Sequence, residues 1–288
     1  MSFMTLRLDR HVSVHYISIL MLRFVLLFFA TGCAATPVNP SFPITAAQAR
    51  QAIEQMRADP RPLHRPVVLI GGFLDPNIAP IIYRYFFASV TINAKLIPVS
   101  IGFCNSFAEC RQKVIAAVDA ACPSADPVWT TEVDVVGASL GGLVARFAAA
   151  PSPDAAHPRR LRIARLFSIS SPHSGSELAE SFGITDFHRE IRPHSAFLNQ
   201  LASKDTQARY VLYPYVLLND TIIDDRYAAP PGQTPFWLAN NSLLPAHDAA
   251  MFDGRILADI ARRLRDEPAF SRYPAAPLPR ADQSVVIR

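Results

Sequence analysis

From Pro66 onward the chain alternates short, continuous apolar runs with longer helical stretches. Five of the runs, Val67–Ile70, Lys95–Ile101, Val133–Val136, Leu161–Ile169 and Tyr210–Leu218, have strand length. Runs that are mostly apolar without strict alternation suit strands covered on both faces, and the segments between them are long enough for crossover helices. The pattern therefore predicts an α/β domain with a mostly parallel central sheet and helices on both faces. Before the first strand, Thr45 to Met56 has helical periodicity and is closed by Asp59-Pro60-Arg61-Pro62, where proline cannot continue a helix. After the last strand, Met251 to Leu264 reads as an amphipathic helix.

The remaining segments divide the chain. Residues 34–62 read as a tether rich in Pro, Thr and Ser followed by the peripheral helix, and residues 63–266 as the domain. Residues 267–288, which hold four prolines and no apolar periodicity, read as a loose tail. The stretch 174–209 is longer than a crossover needs. It is either a lid or cap over a site, or a pair of ordinary packing helices. No internal repeat is present.

Composition narrows the function. Half of the 288 residues are apolar and 18% are charged, enough to build one large core. The formal net charge is +4, and the first 33 residues contribute Arg7, Arg10 and Arg23 against Asp9, so the remainder carries only +2. Its basic residues are scattered and form no aromatic-studded strip, which argues against nucleic acid as a partner. No Cys or His spacing suggests a metal. Of the cysteines after Cys33, Cys104 and Cys110 are close enough in sequence to pair in an oxidising compartment, with all three free as the alternative.

The N-terminus reads as an address. Arg23, the apolar run Phe24 to Ala30, and Thr31-Gly32-Cys33 resemble a bacterial lipoprotein signal, with Met21 as a compact alternative start. The run is too short to span a hydrocarbon core of about 30 Å. The resemblance implies residues 1–33 as signal peptide and cleavage before Cys33 with lipidation there. It also implies a membrane anchor and, from Ala34, residence at the outer membrane. An ordinary signal peptide or uncleaved anchor is the alternative; either implies export.

The chemistry sits at strand ends. Thr131 to Val136 leads into Gly137-Ala138-Ser139-Leu140-Gly141-Gly142 and then a helical stretch, the strand–turn–helix setting of a nucleophile elbow. There Gly137 and Gly141 leave room for a tight turn that presents Ser139. These residues resemble the lipase and esterase branch of the α/β-hydrolase family, and the likeness extends in order over roughly residues 64–265. It implies the α/β-hydrolase fold and carboxylic ester hydrolysis without a cofactor. Arg65 to Leu74 looks like that family's first core strand and oxyanion loop, with Gly71 in place of the usual His. The resemblance puts the oxyanion-hole amides on Phe73 and Leu140. The order serine, acid, histidine then implies Asp220, at the end of the last strand, as the acid and His247 as the base, with Asp224 and Asp225 as rival acids. His173, in Ser170-Ser171-Pro172-His173, matches a segment that shapes the site in that family, and is read as packing or a site neighbour.

The expected substrate is a small-molecule or lipid ester. An amidase or acyltransferase would use the same residues, and an inactive hydrolase fold kept as an envelope binding protein is the alternative from another class. Oligomeric state is left open.

Overall fold

Val, Ile and Leu at successive positions have no solvent-facing side to offer, and each such run becomes a strand inside a parallel sheet. The computed structural model describes residues 37–152, 154, 156–179, 186–205 and 208–279. The strands are β1 (Val67–Ile70), β2 (Leu96–Val99), β3 (Val133–Ala138), β4 (Ile163–Ile169), β5 (Val211–Leu217) and β6 (Phe236–Leu238). They form one six-stranded sheet in the order β2-β1-β3-β4-β5-β6, every pair parallel. The helices are α1 (Ala46–Ala58), α2 (Ile78–Val90), α3 (Phe107–Ala121), α4 (Leu140–Ala149), α5 (Asp186–Glu190), α6 (Ala196–Asp205), α7 (Ala246–Phe252) and α8 (Gly254–Leu264). This is an α/β-hydrolase-like fold.

The strands split their side chains between two apolar layers. Val67 and Leu69 of β1 join α1, α2, α7 and α8 on one face, whereas Val68 and Ile70 join α3, α4 and α6 on the other. At about 25 cal/mol per Å² of apolar surface removed from water, these two layers are the main stabilising contribution. Local signals agree with the packing: Thr45 caps α1 through a capping box with Gln48, which satisfies two otherwise unpaired amides.

The chain runs outward from β1 to β2 and then returns past β1 to start β3, so the strand order reverses between β1 and β3. Crossover connections leave opposite faces on either side of that point and open a crevice beyond the strands' carboxyl ends. The segments after β1 and β3, the predicted oxyanion loop and elbow, meet there.

Several expectations are corrected. β6 went unpredicted because three residues between polar loops give too short a run to register. The expected final helix is two: Asp253 breaks it and caps α8, accepting from the Arg255 amide, while α7 begins early enough to include His247. Residues 37–43 are no free tether, since Phe42 and Asn39 are buried and Asn39 donates to the Trp237 carbonyl. Residues 267–279 are not loose either. The fully buried Asp259 accepts from the Phe270 and Ser271 amides, and Trp237 donates to the carbonyls of Ala276 and Pro277. Cys104, Cys110 and Cys122 are free thiols, so the Cys104–Cys110 disulfide is not formed. Cys104 and Cys110 instead fill the apolar layer under α3, where burial holds the Cys110 thiol well above its ordinary range. The signal segment and Cys33 lie outside the described residues, as do 34–36, 180–185, 206–207 and 280–288. Among the described residues no helix is long and apolar enough to cross a membrane.

Candidate active site

β3 ends in a turn so tight that Ser139 takes φ 49° and ψ −124°, a conformation non-glycine residues avoid. The turn is fixed from two sides. The Ser139 amide donates to the Ile169 carbonyl of β4 at 2.8 Å, and α4 starts at the next residue. Close backbone approach accounts for both elbow glycines. A Cβ on Gly137 would sit 2.6 Å from the Gly142 amide nitrogen, and one on Gly141 2.6 Å from the Gly71 carbonyl. The strain is therefore held by contacts that no larger residue allows, as expected where a fold presents one side chain at a sheet edge.

His247, in the first turn of α7, faces this serine: its Nε2 lies 3.1 Å from Ser139 Oγ. Its Nδ1 lies 2.9 Å from Oδ2 of Asp220, in the loop after β5. A carboxylate only accepts, so Nδ1 carries the proton and Nε2 presents its lone pair to the serine hydroxyl. The Asp220 side chain is fully buried, and its other oxygen accepts from the amides of Ile222 and Ile223, both at 2.9 Å. These three bonds fix the carboxylate. Asn219 makes the sharp approach possible with φ 65°.

The rival acids are occupied differently. Asp224 accepts from Arg226 at 2.6 and 2.7 Å and caps the short 3-10 turn Asp225–Tyr227. Burial, then the neighbouring Asp224, pushes the Asp225 carboxyl up to about 6. His173 is buried beneath the elbow. Arg146 of α4 donates to its Nδ1 at 3.1 Å and to its carbonyl at 3.2 Å, and its Nε2 lies 2.8 Å from Ser168 Oγ. Burial and the Arg146 charge hold its pKa well below the usual 6.5.

Phe73, Ser139 and Leu140 line one apolar cavity of about 120 Å³. Gly72 lies against the serine, where a Cβ would come within 3.1 Å of the Ser139 Cβ. As the first residue of α4, Leu140 has an amide with no intrahelical acceptor, at the positive end of the helix. The far wall is Phe187 and Ile191, with Leu178 and Ile222 beside it. Phe73 packs edge-on against Phe187 at 5.8 Å and His188 at 5.5 Å. The described part of 174–209 thus supplies cavity wall. Larger hollows exist elsewhere, one of about 770 Å³ between Trp129 and Arg209, but their lining holds no paired nucleophile and base. No group of three or more His, Cys, Asp or Glu among the described residues is arranged to hold a metal.

Two contributors escaped the sequence reading. Phe187 is one apolar position within the 174–209 stretch and carries no local motif. Asp75 lies in the loop after β1, and its carboxylate caps α2 by accepting from the Ile78 and Ala79 amides. The Asp-Pro-Asn sequence before an apolar helix was the available signal.

No protein-family model matches the chain, and no curated protein does. Among solved structures, it is distantly similar to the lipase BlEst2 of Bacillus licheniformis. The mature form aligns at 14% identity and a TM-score of 0.47 over 72% of this chain and 94% of that one. The propeptide form aligns at 15% and 0.47 over 75% and 54%. The lin2722 gene product of Listeria innocua aligns at 13% and 0.38 over 68% and 80%. At such identities the likeness concerns the fold alone.

Proposed function

We propose that the chain is a serine hydrolase that cleaves carboxylic esters through an acyl-enzyme on Ser139. The observation that carries this reading is the hydrogen-bonded chain Asp220–His247–Ser139, which ends on a strained turn inside an apolar cavity. In this reading Ser139 Oγ attacks the ester carbonyl as His247 Nε2 takes its proton, and Asp220 stabilises the resulting imidazolium. The carbonyl oxygen becomes an oxyanion bound by the Phe73 and Leu140 amides. Collapse breaks the C–O bond to the alcohol, which leaves with the proton from Nε2. Water, deprotonated by His247, then attacks the acyl-enzyme, and Ser139 recovers its proton as the carboxylic acid departs.

The acyl group is short. An apolar cavity of about 150 Å³ holds one benzene ring, so about 120 Å³ accommodates a chain of roughly four or five carbons before meeting Phe187 and Ile191. Export and a lipid anchor at Cys33 are part of the same proposal and rest on the sequence of residues 21–34.

The test is hydrolysis of p-nitrophenyl esters from acetate to palmitate by protein beginning after Cys33, beside Ser139→Ala. The expected result is a maximum near butyrate and no turnover by the variant. Equal turnover by both proteins, or none by either, contradicts the proposal.

A further inference from the structure

The amide assigned to the oxyanion hole belongs to Phe73, on the loop after β1. The Phe73 ring rests on Phe187 and His188, while its backbone must be held from within the loop. Phe73 and Leu74 are 36% and 66% exposed, and Leu74 is left-handed at φ 58°. A non-glycine residue avoids the left-handed region, so this loop would relax unless both ends were clamped. Upstream the clamp is the contact of Gly71 with Gly141, which ties the loop to the elbow. Downstream the chain reaches Asp75 two residues after Phe73, and Asp75 is held at every polar atom.

Its Oδ1 accepts from the Ile78 amide at 2.6 Å and its Oδ2 from the Ala79 amide at 3.1 Å, so a charged group caps the N-terminus of α2. Its carbonyl accepts from Ser100 Oγ at 3.0 Å, and its amide donates to the Gly72 carbonyl at 3.4 Å. Two glycines make room for it. A Cβ on Gly71 would lie 2.4 Å from the carboxylate, and one on Gly102 would lie 2.3 Å from the Asp75 carbonyl oxygen. Asn77, the residue immediately before α2, makes no side-chain cap bond, so the capping falls to Asp75. The loop after β1, the start of α2 and the end of β2 therefore converge on one aspartate, with Phe73 and Leu74 between it and the elbow.

We propose that Asp75 is the positioning residue of the oxyanion hole, holding the Phe73 amide where it meets the tetrahedral intermediate without touching the substrate. The inference rests on the ester-hydrolase reading above. A displacement of 1 Å at a reacting centre can cost about 10²-fold in rate, and outright loss of an oxyanion donor about 10²–10³-fold.

The test compares Asp75→Ala, Asp75→Asn and Ser100→Ala with the wild type on p-nitrophenyl butyrate, with folding checked by circular dichroism. Asp75→Ala is expected to lower kcat about 10²-fold with KM changed less than about threefold, because the clamp acts on the transition state. Butylboronic acid, whose tetrahedral adduct on Ser139 occupies the hole, should bind more weakly by the same factor as kcat/KM falls. The pH at half-maximal kcat/KM should stay where it is, since the Asp220–His247 pair is untouched. Asparagine keeps the acceptor facing Ile78 and should recover most of the rate. Ser100→Ala should show a smaller loss of the same kind, and keeps the test open if Asp75→Ala does not fold. A wild type that hydrolyses the ester beside folded Asp75 and Ser100 variants within threefold in kcat and boronate affinity overturns the positioning role alone. A wild type with neither turnover nor Ser139 labelling by a fluorophosphonate overturns the ester-hydrolase reading, and the positioning role with it.

Discussion

Two buried histidines in this molecule each lie within hydrogen-bond distance of a serine, and they differ in what stands on the other side of the ring. His247 has Ser139 at 3.1 Å and the Asp220 carboxylate at 2.9 Å. His173 has Ser168 at 2.8 Å and the Arg146 guanidinium at 3.1 Å. A carboxylate can only accept, so His247 carries its proton on Nδ1 and offers a lone pair to its serine. A guanidinium can only donate, so His173 carries its proton on Nε2 and donates to its serine. On the proposed reading the first arrangement can accept the serine proton; the second cannot, because its ring already donates to Ser168 and because burial and Arg146 both oppose the imidazolium. Geometry around a Ser–His pair is thus insufficient to define a base. The charge behind the ring and access to the cavity decide it.

The largest effects should separate these two histidines. His247→Ala is expected to lower kcat on p-nitrophenyl butyrate by about 10⁴–10⁶-fold per folded molecule. His173→Ala should act on stability instead. It leaves Arg146 and Ser168 without that partner in the core, at a cost of about 2–4 kcal/mol in stability, and keeps kcat per folded molecule within about tenfold. A folded His173→Ala protein as inactive as His247→Ala would break the distinction. The next effect concerns the carboxylate. Asp220→Asn should cost about 10⁴-fold by presenting a donor to Nδ1 and favouring the wrong tautomer. Asp224→Asn, which loosens the contacts with Arg226 and Asp225 and leaves the Asp220–His247 pair alone, should stay within threefold; a large loss there would move the acid assignment.

How much of this was legible in the sequence follows from the same contrast. Val67–Ile70 appears as read, because a run apolar at every position can only be buried on both faces. The elbow was legible because strand, glycine-flanked serine and helix form a local signal, as did the position of Asp220 just past β5. What was not legible depends on partners distant in sequence. Nothing near His173 announces Arg146, and nothing near Asp75 announces Ser100 or Gly102. Residues 37–43 and 267–279 read as loose because their partners sit in other elements: Phe42 packs on Tyr215 and Phe236, and Trp237 donates to the carbonyls of Ala276 and Pro277. The break between α7 and α8 was concealed by apolar periodicity that continues through Asp253.

Smaller effects probe the cavity and the acid loop. Phe187→Ala should open the far wall toward Phe107, with which Phe187 packs at 5.1 Å. It should raise the octanoate-to-butyrate ratio of kcat/KM by about tenfold, the worth of one to two methylenes in an apolar pocket. An unchanged ratio would mean that the acyl chain lies elsewhere. Asp225 gives the smallest effect. Its pKa of about 6 in the folded protein exceeds the unfolded value of about 3.9, so folding favours its protonated form. Its presence therefore costs nothing below about pH 4 and destabilises increasingly as pH rises to about 6. Asp225→Asn should match the wild type in urea unfolding at pH 4 and exceed it at pH 7.5. A gain that does not depend on pH would assign the effect to packing.

The most direct test of the central claim is peptide mapping by mass spectrometry after treatment with a fluorophosphonate. The account predicts one adduct per chain, on Ser139, lost in His247→Ala and retained in His173→Ala. No adduct, or an adduct on Ser168 or another serine in its place, would contradict it.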